Sequence, residues 1–200
     1  MKRGNHMTSP VSGYITDNRN LVGGKGTPNL FFDINNSVLF ERDPENIVYL
    51  LSSTQMPAMI GGSVAELNMS KGFIREPHWH PNAWELDYLI SGSATIGILD
   101  PNNNKLQTYK LTKPGETVFI PMGYWHWISA DSDDTKLLLF FNNDQFQTQE
   151  GSTMLTQTPL PVYEQAYNIE PKKMAAALEP IEGAGAVVIG PPPPLSRKRK

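Results

Sequence analysis

The sequence predicts an all-β fold, an antiparallel sandwich or barrel. Two observations carry that expectation. Residues 29–144 form a succession of short apolar and β-branched runs split by turn residues, the pattern of many short strands. No amphipathic helical window interrupts them. At 200 residues the chain can bury a core of its own, without needing a disulfide or metal staple.

The elements follow in order. Residues 1–26 are polar and rich in Gly and Asn, ending on Gly23, Gly24 and Gly26, and read as an irregular arm. Residues 27–158 are assigned to the barrel. Its strand-like runs are 30–32, 37–40, 47–51, 63–67, 84–99, 105–111, 117–120, 125–129 and 136–141. Between two of them Pro101-Asn102-Asn103-Asn104 signals a hairpin. Residues 159–181 form a short C-terminal helical segment, with helix-compatible stretches over 159–168 and 171–178. The run Met174-Ala175-Ala176-Ala177-Leu178 has high helix propensity. Residues 182–200 read as a flexible Gly/Pro-rich tail whose prolines favour an extended polyproline II spacer. Gly183-x-Gly185 is no phosphate-binding fingerprint, because no helix can open before Pro191.

Composition then excludes several chemistries. The chain has no cysteine, which removes disulfides, thiolate nucleophiles, thiolate zinc sites and iron–sulfur clusters. Lys and Arg number 17 against 20 Asp and Glu, and four of the basic residues are the last four, 197–200. The rest of the chain is therefore acidic, which disfavours non-specific nucleic-acid binding. No apolar run approaches the roughly 18 residues a membrane span needs. The N-terminus has early basic residues with no apolar stretch behind them, so cytoplasmic residence is expected.

Histidine and tryptophan are the informative types. The four histidines are His6, His78, His80 and His126; the four tryptophans are Trp79, Trp84, Trp125 and Trp127. All but His6 fall in two short windows. In a strand, residues i and i+2 share a face, so His78 and His80 point the same way. After the Pro81-Asn82 break, Glu85 can return on the neighbouring strand, on a face it shares with Asp87 and Leu89. His126 arrives after the rigid turn Pro121-Met122-Gly123. Three imidazoles and one carboxylate make a mixed nitrogen/oxygen set without soft ligands, suited to Mn, Fe, Ni, Cu or Zn.

These two windows resemble the two motifs of the cupin superfamily. Gly72, five residues, His78-x-His80, four residues, Glu85, six residues, Gly92 fits the first. Gly115, five residues, Pro121-x-Gly123, two residues, His126 fits the second, with Ala130 where the motif usually ends in Asn. The resemblance implies a cupin jelly roll with His78, His80, Glu85 and His126 as metal ligands and His6 a bystander. Within the superfamily the chain is most similar to one half of the oxalate decarboxylases, from about residue 30 to 178. The marks are Ile74-Arg75-Glu76-Pro77-His78-Trp79-His80-Pro81-Asn82 and Glu150-Gly151-Ser152-Thr153. That similarity implies manganese as cofactor, dioxygen and a small carboxylate as substrate. It implies Arg75 as the residue that contacts substrate and Glu150 as a lid acid/base, although residues 145–150 are longer than the family's lid. The alternatives are a non-catalytic cupin whose metal senses a ligand or stiffens the barrel, and an oxidase or dioxygenase with another substrate.

Parity adds two expectations. Arg75 is odd where His78 and His80 are even, so an ideal strand aims it outward and Glu76 inward. A bulge or kink before Pro77 would bring the guanidinium into the cavity; otherwise Arg75 makes a surface salt bridge. The tryptophans all face away from the metal, on the outside of the barrel, where an uncovered aromatic patch would be unusual. The arm, a second sheet layer or a second subunit is expected to cover them, a homodimer foremost.

Overall fold

In five of the strands burial alternates with period two, and that alternation builds the fold seen in the computed structural model, which describes residues 29–183 and 185–192. The N-terminal arm with His6, and residues 193–200 with the basic terminus, lie outside the described residues. Ten strands carry the barrel: β1 (Val38–Asp43), β2 (Asn46–Leu51), β3 (Ser63–Met69), β4 (Ile74–Trp79), β5 (Glu85–Ser91), β6 (Ala94–Asp100), β7 (Lys105–Leu111), β8 (Thr117–Ile120), β9 (Trp125–Ala130) and β10 (Thr135–Phe141). Two short ones, β11 (Gln149–Glu150) and β12 (Ile189–Gly190), complete them. One sheet runs β1-β2-β3-β10-β5-β8, the other β11-β4-β9-β6-β7, with β12 also on β4. Every pairing is antiparallel.

The core lies between the two sheets. On β3 the buried residues are Ser63, Ala65, Leu67 and Met69, and on β10 Thr135, Leu137, Leu139 and Phe141. Leu137 pairs with Leu67 and Leu139 with Ala65, so one face of both strands is apolar in register. Ile96 on β6 and Ile128 on β9 pair directly and are fully buried from the opposite sheet. A one-residue slip would send these side chains to solvent, which fixes the register.

The strand runs read from sequence are largely present, with three differences. Residues 30–32 lie outside the sheets, and Leu30 and Phe31 are exposed. The long run 84–99 is two strands, β5 and β6, broken at Gly92 and Ser93; strands rarely exceed about ten residues. The hairpin at residues 101–104 joins β6 to β7, with the Asp100 carboxylate accepting from Asn102 and Asn103. The third difference is at the C-terminus. The helical segment contains α1 (Gly151–Gln157), α2 (Leu160–Tyr167) and α3 (Pro171–Leu178), of which α1 falls within the stretch assigned to the barrel. Residues 187–190, read as part of a flexible tail, return to the barrel instead. Val187 and Ile189 are buried and β12 pairs with Ile74 and Arg75. The short apolar run 186–189 finds a free strand edge on β4, which outweighs the Gly and Pro around it.

Parity places the tryptophans as expected, each half-buried against other parts of the chain. On β9, half-buried Trp125 and Trp127 alternate with buried His126 and Ile128. Trp127 lies flat on Gly97 of β6, where an added Cβ would sit 2.3 Å from the indole. Trp125 stacks obliquely on Trp79 at 5.4 Å and is capped by Gly151 at the start of α1, where a Cβ would meet it at 2.9 Å. Trp84 packs on Phe119 at 5.5 Å, and Phe119 remains 53% exposed on the outer face of the first sheet.

Candidate metal centre

The ligand set is assembled from both sheets. His78 closes β4 and pairs directly with His126 of β9. His80 follows in the connection out of β4. Glu85 opens β5, which belongs to the other sheet, so it reaches the cluster from across the barrel and not from a neighbouring strand as sequence parity suggested. The Pro81-Asn82 break is where the chain crosses between sheets. All four residues are buried, and one ligand atom from each lies within 4.8 Å of the others. That spread suits a shared ion about 2.1 Å from each atom.

Each imidazole is oriented by a backbone carbonyl. His78 Nδ1 lies 2.6 Å from the Glu76 carbonyl, His80 Nδ1 2.9 Å from that of Gln147, and His126 Nδ1 2.8 Å from that of Tyr124. Carbonyls only accept, so each Nδ1 carries the proton and each Nε2 presents a lone pair inward. His80 Nε2 sits 2.9 Å and His126 Nε2 3.0 Å from Glu85 Oε2. Yet His80 Nε2 and Glu85 Oε1 have no hydrogen-bond partner. Lone pairs facing one another in a buried space repel, and a cation among them converts that repulsion into coordination. The residues therefore fit a metal ion of the nitrogen/oxygen class.

Electrostatics agree. Burial holds the His78 pKa well below its usual value, with the Arg75 charge and His126 acting the same way, so the ring is neutral. Asp87 shares the buried face of β5 with Glu85. It is fully buried, neither of its oxygens has a partner, and burial together with the Glu85 charge pushes its pKa well up.

Arg75 turns inward. Arg75 pairs with Ile128 and His78 with His126, so β4 spends three steps where β9 spends two. This bulge leaves Arg75 and Glu76 both buried, where a regular strand would bury one. Arg75 and Glu150 line a cavity of about 210 Å³ together with His78, His80 and Glu85. Its apolar wall includes Phe141 and Phe146, stacked at 3.9 Å and each edge-on to His80. Both oxygens of Glu150 accept from the Arg75 guanidinium at 2.7 Å, with the side chains 13% and 9% exposed. Glu150 thus reaches the cavity despite the longer segment before it, since β11 pairs Glu150 with His78.

Sequence reasoning gave no role to Glu76, Ser152 or Val188. Glu76 accepts from the Ser152 N–H at 2.7 Å, the Ser152 hydroxyl at 2.9 Å and the Val188 N–H at 2.6 Å. Parity did aim Glu76 inward, but its partners lie 76 and 112 residues away, and no local pattern announces them. A larger, open depression of about 490 Å³ beside Glu45, Ser70 and Asp133 lies away from this cluster.

A two-sheet antiparallel barrel holding three histidines and a glutamate inside it defines a class of β-barrels with a candidate metal site between their sheets. The chain belongs to the cupin family, whose family model matches residues 42–175. It is similar to oxalate decarboxylase OxdC of Bacillus subtilis, 26% identical over 113 residues, 56% of this chain and 29% of that one. It is also similar to spherulin-1A of Physarum polycephalum, 32% identical over 124 residues, covering 59% and 49%. A germin-like protein (subfamily 2 member 4) of Arabidopsis thaliana is 29% identical over 104 residues, covering 50% and 46%. The chain spans less than half the length of each of these relatives. Among solved structures, a variant of the Bacillus subtilis decarboxylase superposes with a TM-score of 0.72 at 19% identity, over 86% of this chain and 44% of that one. A structure concerned with the Mn(II) centres of the same enzyme gives 0.61 at 21%, over 69% and 36%. These likenesses show the fold. No helix among the described residues is long and apolar enough to cross a membrane.

Proposed function

We propose that the protein is a manganese-dependent enzyme resembling oxalate decarboxylase, acting on a small carboxylate. His78, His80, Glu85 and His126 hold the metal, and Mn(II) in the Bacillus subtilis relative supports that choice among the metals a nitrogen/oxygen set accepts. When bound, the metal supplies a coordination position for the substrate carboxylate and the means to activate dioxygen.

The observation that carries the reading is the Arg75–Glu150 pair inside the ligand cavity. The guanidinium presents a two-pronged donor fork, and a carboxylate already fills it. Substrate enters by taking that place: its carboxylate accepts from Arg75 and frees Glu150. Glu150, released as a carboxylate beside the bound substrate, takes the acidic proton of hydrogen oxalate and returns it to the carbon from which carbon dioxide leaves. For hydrogen oxalate the C–C bond breaks, carbon dioxide leaves, and the remaining carbon takes a proton to become formate. Phe141 and Phe146 exclude water from this exchange.

The test is oxygen-dependent formate production from oxalate by protein of measured manganese content, repeated with Glu150→Gln. Turnover is expected in the wild type and a loss of about 100-fold or more in the variant. No turnover of any small dicarboxylate by fully loaded protein would sink the proposal.

A second reading is a non-catalytic metal-binding cupin, favoured by the germin-like and spherulin relatives. The two separate on His80→Ala, since a structural metal predicts a lower melting temperature and a catalytic one lost activity with little change in melting. We further propose a homodimer through the outer face of the first sheet, where Phe140, Leu86 and Phe119 form a continuous row beside Trp84. Light scattering at the mass of one chain would refute it.

A further inference from the structure

The strap of residues 187–190 is cavity wall that the reaction above does not use. It is tied into the barrel on both sides: Arg42 donates to the carbonyls of Val187 at 2.8 Å and Ile189 at 3.0 Å, and β12 pairs with Ile74 and Arg75. Between the two buried residues sits Val188, which lines the cavity beside Arg75 and Glu150. Its φ is +57°, the left-handed region that a β-branched residue occupies only under strain.

That strain is held by named contacts. The Val188 N–H donates to Glu76 Oε1 at 2.6 Å. Its carbonyl accepts from the Glu76 N–H at 2.9 Å and from Arg75 Nη1 at 3.1 Å. Glycine is the residue this backbone asks for. Valine sits there at a cost, and what it supplies in return is a branched apolar wall on a small cavity. The same Glu76 carboxylate holds Ser152, two residues after Glu150, so one buried group positions both sides of the pocket.

We propose that Val188 is the size-determining residue of the carboxylate cavity and that Glu76 is the positioning residue that holds it there. The site then admits short, unsubstituted carboxylates such as oxalate and excludes dicarboxylates two carbons longer. This rests on the reading of the cavity as a carboxylate site.

The experiment titrates oxalate, malonate and succinate into manganese-loaded wild type, Val188→Gly, Val188→Ala, Glu76→Gln and the Val188→Gly/Glu76→Gln double variant. Dissociation constants come from calorimetry, and the Mn(II) paramagnetic resonance spectrum reports ligand reaching the metal. In the wild type, oxalate is expected to bind at least about tenfold more tightly than succinate. That ratio falls about tenfold in Val188→Gly and by an intermediate factor in Val188→Ala, which carries the test if the glycine variant does not fold. Glu76→Gln shifts the ratio in the same direction, and the double variant shifts it no further than Val188→Gly, because both act through one side chain. An unchanged ratio in both Val188 variants, with oxalate still bound, overturns the proposal and leaves the carboxylate reading standing. A lower melting temperature in Glu76→Gln with an unchanged ratio makes Glu76 merely structural and overturns its positioning role. If no carboxylate binds the loaded wild type, the carboxylate reading fails and the size gate fails with it.

Discussion

Two neighbouring regions of β4 are built on opposite principles. At its end, His78 joins His80, Glu85 and His126 in a buried cluster whose lone pairs face one another. Two to three residues earlier, at the bulge, Glu76 and Arg75 are also buried, but every charge meets a donor or acceptor: Glu150 for Arg75, Ser152 and Val188 for Glu76. The first region is poised for something to bind; in the second every charge is already paired, and only Arg75 and Glu150 exchange partners in the proposed reaction. Buried polar groups cost stability when unpaired and hold structure together when paired. The open ligand cluster and the closed Glu76 network thus stand only two residues apart on β4.

Substitution can break that contrast. The largest effect is expected from His126→Ala, which removes a ligand and lowers metal affinity by more than about 100-fold; metal analysis after dialysis reads it, and the metal-free fold is expected to survive. Glu76→Ala should do the reverse. It strands the Ser152 and Val188 donors and costs about 3 kcal/mol in denaturant unfolding, while metal affinity is expected to stay as it was. If Glu76→Ala lost the metal and His126→Ala lost the fold, the two regions would be one unit. Gly97→Ala sharpens the comparison as a control outside both: a methyl driven into Trp127 should cost about 1–3 kcal/mol with metal affinity unchanged.

The smallest effect concerns a charge far from either region. Glu116 accepts from the N–H groups of Thr112 and Lys113, and these bonds hold its pKa below the usual value. A folded-state pKa below the unfolded one means stabilisation that is present above the ordinary carboxylate pKa, about 4.3, and lost as pH falls through the lower folded value. Wild type should therefore melt slightly above Glu116→Gln at pH 7, with the gap closing in acid. Neither region of β4 contributes to that gap, since the glutamate is on the surface.

Much of the barrel and all four candidate ligands were legible because both depend on short-range order. Period two puts His78 and His80 on one face, and the turn Pro121-Met122-Gly123 delivers His126. The tryptophans were legible by the same parity as facing outward, but not what lies on them: Gly97 comes from another strand, and Gly151 from a helix that the sequence did not announce. Arg75 was the borderline case. Parity required a bulge to turn it inward, and pairing with β9 supplies one, which no sequence period shows.

Taken alone, the amino-acid sequence determined the fold class, the metal-ligand types and their spacing, since alternation and turn chemistry act between residues near in the chain. Only the tertiary structure decided that Glu85 arrives from the opposite sheet, that Glu150 closes on Arg75, and that Val188 walls the cavity from 113 residues beyond Arg75. Those contacts are made by hydrogen bonds and burial across long loops, and their partners exist only once the chain has folded.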